Sequence, residues 1–220
     1  MQTDVVSAGL SSSGVFDAQG KEGALPAAIK RIHGHGTVAG PATTVACAEG
    51  SVSGVLSALA ESQQGQVLII QGDGEWAYFG ELTGAEALRV GIVAVVLDTY
   101  VRDIDRLSEW DIQVFARGVT PKGAGFGALG EVGVPLTIGE AVIEPGDWLV
   151  GDGDGLVTVP SAEAQAVFER ARELVASEGQ CAARVLSGDS LLNQDFRYGK
   201  TFRETLSGFQ EALLGGSATK

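Results

Sequence analysis

Gln66-Val67-Leu68-Ile69-Ile70, then Glu81-Leu82-Thr83-Gly84-Ala85-Glu86-Ala87-Leu88-Arg89-Val90, then Ile92-Val93-Ala94-Val95-Val96-Leu97 follow one another in that order. The first and last are short β-branched apolar runs without polar alternation, as expected of strands covered on both faces. The segment between them reads as a helix opened by Gly80. Strand, helix and strand in that order make a βαβ-like unit with a parallel pair, so the chain is read as α/β.

Working outward from this unit, residues 52–63 place Val52, Val55, Leu56 and Leu59 at helical spacing, with Ser51 available as a cap. Thr37–Cys47 is β-branched and small, and Pro41 inside it argues for an edge or a bend, so two short strands are expected. Downstream, Ile112–Ala116, Val132–Ile138, Ala141–Ile143, Trp148–Val150 and Leu156–Val159 read as short strands, the later ones forming a largely antiparallel second sheet. A helix follows Pro160, capped by Ser161 and striped by Ala164, Val167, Phe168, Ala171, Leu174 and Val175. Another opens at the capping box Thr201-x-x-Glu204, with Phe202, Leu206, Phe209 and Leu213 on one face. Residues 1–24 are polar and rich in Gly and Ser, and read as an N-terminal arm. The 32 glycines fall singly between apolar runs, marking turns and close approaches in a fold of many short elements.

The 220-residue chain carries 15 Lys+Arg against 28 Asp+Glu, a net charge of −13, so its field repels phosphate backbones and anionic lipid headgroups. Nucleic acid and membrane are therefore not expected as partners. A small anion is still admitted, because a local Arg or metal ion outweighs a distant, screened field. The start Met1-Gln2-Thr3-Asp4-Val5-Val6-Ser7 lacks a basic segment followed by an apolar one, and the expectation is an unexported, cytoplasmic protein. Cys47 and Cys181 sit in apolar surroundings far apart in sequence and are expected to be buried free thiols.

Three motifs are outweighed by simpler readings. Gly125-Phe126-Gly127-Ala128-Leu129-Gly130 matches a dinucleotide fingerprint in letters but is followed by Glu131-Val132-Gly133-Val134-Pro135, which cannot open a useful helix. His33 and His35 lack a third ligand nearby and read as loop histidines. Asp152-Gly153-Asp154-Gly155 lacks the further ligands of a calcium loop and reads as a β-turn.

Glu81, Arg102 and Asp103 are different, because both ends of the βαβ-like unit can bring them to one crevice. Carboxylates can hold a hard divalent cation, while helix amides near Leu82 and a guanidinium receive an anion. An Arg–Glu ion pair pinning a helix to a strand end would produce the same spacing, and both readings stay open here.

The series Gly40-Pro41-Ala42-Thr43-Thr44-Val45, Gly80-Glu81-Leu82, Asp98-Thr99-Tyr100-Val101-Arg102-Asp103, Val114-Phe115-Ala116-Arg117-Gly118, Pro145-Gly146-Asp147 and Asp152 to Pro160 resembles the RraA-like family over roughly residues 13–180. That family joins regulators of ribonuclease E activity with class II pyruvate aldolases that cleave 4-hydroxy-4-methyl-2-oxoglutarate and 4-carboxy-4-hydroxy-2-oxoadipate. Its aldolase branch is marked by an acidic residue, twenty positions, then Arg-Asp, and this chain has Glu81, twenty residues, then Arg102-Asp103.

The resemblance implies a layered β/β/α swivelling-domain sandwich over residues 25–185, in a homotrimer or homohexamer; the C-terminal helical tail read at 186–220 falls outside it. It implies a metal-dependent lyase, an aldolase or oxaloacetate decarboxylase, acting on a small 2-oxo acid. Mg²⁺ or Mn²⁺ would be held by Asp103 with help from Glu81. The catalytic set would be Arg102, Glu81 and Asp103, and Gly80, Leu82 and Thr83 would join Arg102 in binding substrate. The alternative is a non-catalytic member that binds and inhibits a partner protein, or a specialised-pathway enzyme on an unfamiliar substrate. Three features depart from the aldolase pattern: Arg106 replaces the usual acidic residue, Thr99, followed by the bulky Tyr100, replaces the usual Gly, and Val52–Ala60 lacks a His.

Overall fold

The computed structural model describes residues 9–194 together with 201, 203, 204 and 206. Its elements run α1 (Ser12–Ala18), β1 (Lys30–His33), β2 (Val38–Ala46), α2 (Ser53–Glu61), β3 (Val67–Gln71), β4 (Ala77–Phe79), α3 (Glu81–Val90), β5 (Ala94–Val101) and α4 (Ile104–Leu107). They continue with β6 (Gln113–Val119), β7 (Glu131–Val132), β8 (Leu136–Ile138), β9 (Ala141–Ile143), β10 (Trp148–Gly151), β11 (Leu156–Val159) and α5 (Ala164–Leu186).

The expected βαβ unit is present: β3 and β5 pair in parallel from Val67↔Ala94 to Gln71↔Asp98, with α3 between them in sequence. α3 stops at Gly91, whose left-handed φ of 85° lets its N–H reach the Ala87 and Leu88 carbonyls. β6 extends the parallel set beyond β5 and carries β1 antiparallel on its other edge. Arg117 on β6 donates through Nε to Asp98 Oδ1 on β5 at 2.6 Å.

Three readings are corrected here. Thr37–Cys47 contributes one nine-residue strand, β2, and Pro41 marks where that strand changes partners. Val38–Pro41 pair antiparallel with β10, whereas Ala42–Ala46 pair parallel with β3. Pro41 has no N–H to give a ladder, so it is tolerated at this junction, where the sheet turns. Consequently β10 and β11 belong to the same nine-stranded sheet, in the order β1-β6-β5-β3-β2-β10-β11, and the expected separate second sheet is only the hairpin β8-β9. The expected run Val132–Ile138 breaks into β7 and β8 around Pro135.

Strand alternation builds two cores on opposite faces. Leu68, Ile70, Val95 and Leu97 pack with Val55, Leu59 and Ala87 of the helices. Val67, Ile69, Ala94 and Val96 pack with Leu136, Ile138, Ala141 and Ile143 of the hairpin. Hairpin, sheet and helices thus form the expected β/β/α layering, and both faces of the central strands are apolar because both are covered.

The described part of the N-terminal stretch is not a loose arm. Leu10 and Val15 are buried, and the Ser12 N–H and hydroxyl both donate to the Asp152 carboxylate at 2.7 Å. Ser51 lies one residue before the N-cap position, which Val52 occupies, but its hydroxyl still accepts from the Ser53 N–H at 3.3 Å while donating to Ala128 O. Ser161 likewise lies in the turn before α5, its N–H held by Asp147 Oδ1.

The chain divides into two units, Met1–Glu169 and Arg170–Lys220. Within the second, the capping box is formed: the Thr201 N–H donates to Glu204 Oε2 at 2.7 Å, and the Glu204 N–H to Thr201 Oγ1 at 3.2 Å. Phe202, Phe209 and Leu213 of the expected stripe lie outside the described residues. Cys47 and Cys181 are free and buried. No helix among the described residues is long and apolar enough to cross a membrane.

Candidate active site

β4 and β5 are parallel neighbours that end side by side, Arg102 N–H donating to Phe79 O at 3.0 Å. β4 leads through Gly80 into α3, and β5 leads through Arg102-Asp103 into the short α4. The carboxyl ends of two parallel strands therefore bring Glu81, Arg102 and Asp103 to one place, as the spacing predicts.

Asp103 stands in the left-handed region, φ 57° and ψ 37°, a conformation Asp tolerates better than most residues. That turn swings its carboxylate back onto the start of α3. Oδ2 accepts from the Glu81 N–H at 3.0 Å and from Arg102 Nε at 3.1 Å. Gly80 is where the two turns touch: a Cβ there would lie 2.5 Å from Asp103 Oδ2 and 2.9 Å from Arg102 Cγ. A Cβ at Gly123 would overlap Arg102 Nη1, so the guanidinium lies between two glycines.

Thr83 is buried, and its hydroxyl is engaged in capping: Oγ1 accepts from the Gly80 N–H at 2.9 Å. The amides tell the complementary story. Gly80 and Glu81 have acceptors within the chain, whereas among the described residues none accepts from the Leu82 or Thr83 N–H. Two free donors at the positive end of a ten-residue helix thus open onto a cleft of about 290 Å³. Arg102 and Asp103 line the same cleft, together with apolar residues that include Val52, Leu56 and Phe126.

Glu81 lies at the cleft's edge and turns its Oε1 to Arg106 Nε at 3.1 Å. Arg106 also donates through Nη1 to both carboxylate oxygens of Glu109, at 2.9 and 3.1 Å. The Glu81 hydrogen bond, with the charge of Glu109, pushes the Arg106 guanidinium further above its already high range. The ion pair of Glu81 is therefore made with Arg106, not Arg102.

The donor set suits a hard cation. Among the described residues nothing donates to Asp103 Oδ1 or Glu81 Oε2, so each carboxylate keeps an oxygen available. No cluster of three or more His, Cys, Asp or Glu side chains that could hold a metal exists among the described residues. A cation held here would keep most of its water, which is the habit of Mg²⁺ and its near relatives.

The remaining motifs have structural roles. His33 Nε2 hydrogen-bonds with Trp110 O at 3.0 Å. Asp152-Gly153-Asp154-Gly155 is a turn closed by the Asp152 N–H on Gly155 O. The loop 125–130 leads into β7 and crosses the entry of α2, with Val52 N–H on Gly125 O and Gly127 N–H on Ser53 Oγ. Sequence reasoning missed that this loop brings Phe126 to the mouth of the site, and the density of glycines from Gly123 to Gly130 was the available signal. A larger hollow of about 520 Å³, lined from Phe16 to Glu163, contains none of the expected site residues.

Fold and cleft together define a mixed α/β protein whose polar site lies where two parallel strands end. The sequence profile of the RraA-like family, described as Aldolase/RraA, matches residues 4–158. A protein of Halalkalibacterium halodurans named "Putative 4-hydroxy-4-methyl-2-oxoglutarate aldolase" is 33% identical over 156 residues, covering 70% of this chain and 74% of that one. Among solved structures, an uncharacterized protein from Pseudomonas syringae pv. tomato matches with a TM-score of 0.77 at 28% identity, over 86% of this chain and 92% of that one. The RNA-processing inhibitor RraA from Thermus thermophilis matches with a TM-score of 0.62 at 33% identity, over 68% and 92% respectively. The chain belongs to the RraA-like family.

Proposed function

We propose that the protein is a divalent-metal-dependent carbon–carbon lyase that releases pyruvate from a 2-oxo acid. Relatives that carry the aldolase name support an aldolase-like role. The observation that carries the reading is the convergence, in one cleft, of two free helix amides, the Arg102 guanidinium and an unengaged oxygen of Asp103.

Asp103 and Glu81 would hold Mg²⁺ or Mn²⁺, which when bound supplies Lewis acidity toward the substrate's 2-oxo oxygen. Glu81, Asp103 and Arg102 alone sum to one negative charge, so an anionic substrate gains from that cation. In this reading the Leu82 and Thr83 amides hold the substrate carboxylate, and Arg102 directs its Nη groups at the 2-oxo oxygen. Cleavage would then proceed as the C4 hydroxyl passes its proton to a water oriented by Glu81 and the C3–C4 bond breaks. The bonding pair passes into C3=C2, and negative charge develops on the oxygen facing Arg102. Protonation at C3 would give pyruvate, the same water oriented by Glu81 returning the proton. Decarboxylation of oxaloacetate leaves the same enolate, so one site supports both reactions.

The test is pyruvate release from oxaloacetate and from 4-hydroxy-4-methyl-2-oxoglutarate, with Mg²⁺ or Mn²⁺, with EDTA, and with Arg102→Ala and Asp103→Ala proteins. Release should require metal and fall by at least about 100-fold in either variant. Full activity in both variants would sink the assignment. No release from a protein that also binds no metal by calorimetry would move the reading to a partner-binding member of the family.

A further inference from the structure

Glu81 and Asp103 also face a second hollow beside the cleft, and there they meet a guanidinium that the lyase chemistry above does not use. Arg106 lines that hollow with Glu81, Asp103 and Asp105. The turn that places Asp103 also places Arg106, whose N–H donates to Asp103 O at 3.0 Å where α4 begins. From there Nε donates to Glu81 Oε1 at 3.1 Å, while Nη1 donates to both carboxylate oxygens of Glu109. Glu109 thus braces the guanidinium through a different nitrogen, and its own N–H closes on Arg106 O at 3.2 Å.

For a cation this pairing counts twice. Arg106 takes one oxygen of Glu81 and shares that carboxylate's charge, which makes Glu81 a poor direct ligand although Oε2 has no donor among the described residues. Its positive charge also repels a dication, and one unit charge a side chain away changes the affinity of a hydrated dication by about tenfold. A carboxylate pinned by a guanidinium keeps its place with or without metal, as orienting a proton-carrying water requires. Both side chains of the pair are about half exposed, so the contact contributes little to folding. Its effect is on where Glu81 is held.

We infer that Arg106 is a positioning residue: it reserves the Glu81 carboxylate for the water that moves the proton, and it keeps the free protein's affinity for a divalent cation low. The inference rests on the lyase reading above. Glu81 then acts on the cation through water, and Asp103 makes the direct contact.

The experiment reads two quantities in the full-length protein. Calorimetry without substrate gives the affinity for Mn²⁺. Exchange of the pyruvate methyl protons with D₂O, followed by NMR at saturating Mn²⁺, reports proton transfer at C3. Arg106→Gln should bind Mn²⁺ about tenfold more tightly and exchange about tenfold more slowly. Arg106→Met, which keeps much of the stem and loses the charge, provides a second variant, and Arg106→Lys should keep the weak binding because it keeps the charge. In a Glu81→Gln protein, adding Arg106→Gln should slow exchange no further, because Arg106 acts through Glu81. Melting temperatures report whether each variant is folded. A folded, charge-removed variant that binds Mn²⁺ no more tightly than the wild type, or exchanges as fast, overturns the role of Arg106 alone. No Mn²⁺ binding by the wild type and the variants alike, or no exchange by the Mn²⁺-loaded wild type, overturns the lyase reading on which it rests.

Discussion

At the scale of single residues, two side chains are governed by environments that composition does not reveal. Asp103 accepts a left-handed backbone so that one oxygen can hold both the Glu81 amide and Arg102 Nε, while the other has no donor among the described residues. Cys47, by contrast, is removed from chemistry: burial pushes its thiol from 9.0 up to about 12, against a smaller opposing hydrogen bond involving Val55. Below pH 9 the folded and unfolded states both keep the proton. As pH rises from 9 toward 12 only the unfolded thiol ionises, so unfolding becomes easier, by up to about 4 kcal/mol at the top of that window. Urea unfolding at pH 8 and pH 10.5 should show this loss, and Cys47→Ala should remove Cys47's share of it. A Cys181→Ser protein should also react slowly with a thiol reagent at pH 8 until it is unfolded.

At the scale of elements, the site depends on how closely the β4–α3 and β5–α4 turns approach. Gly80 permits that approach, because any Cβ would press into Asp103 Oδ2 and Arg102 Cγ. Gly80→Ala should shift the Arg-Asp pair by several tenths of an ångström and cost turnover on the order of 100-fold. Paired measurements of kcat and melting temperature check it: a large fall in turnover beside a small fall in stability is the expected pattern. Loss of fold without a selective loss of activity would show that Gly80 serves packing alone. The βαβ unit itself was legible, because buried strands and a helix of matching length leave local periodic signals. β4 was not, since Ala77-Tyr78-Phe79 is too short to carry a period and is recognisable only by its pairing with β5.

At the scale of the whole molecule, stability rests on contacts between residues far apart in sequence. Ser12 and Asp152 are the clearest case, two hydrogen bonds to one carboxylate that hold α1 at the turn between β10 and β11. Asp152→Ala leaves the Ser12 N–H and hydroxyl without this acceptor and should cost about 2 kcal/mol. Equilibrium unfolding in urea would measure it, and a change below about 0.5 kcal/mol would mean that α1 contributes little to the fold. Such a contact has no sequence signature, which is why the Gly- and Ser-rich start reads as an arm although Leu10 and Val15 are buried.

The sequence by itself determined the α/β class, the parallel β3-β5 pair, the extent of α3, and the meeting of Glu81 with Arg102-Asp103. All of these follow from local periodicity and from strand ends that parallel pairing brings into line. Tertiary structure alone decided that β2 runs unbroken through Pro41 and changes partners there, so that β10 and β11 join the main sheet. It also decided that Arg106 pairs with Glu81 and that Phe126 stands at the cleft mouth beside Leu82. These outcomes depend on which distant segments become neighbours, and periodicity along one segment carries no information about the identity of the surface that covers it.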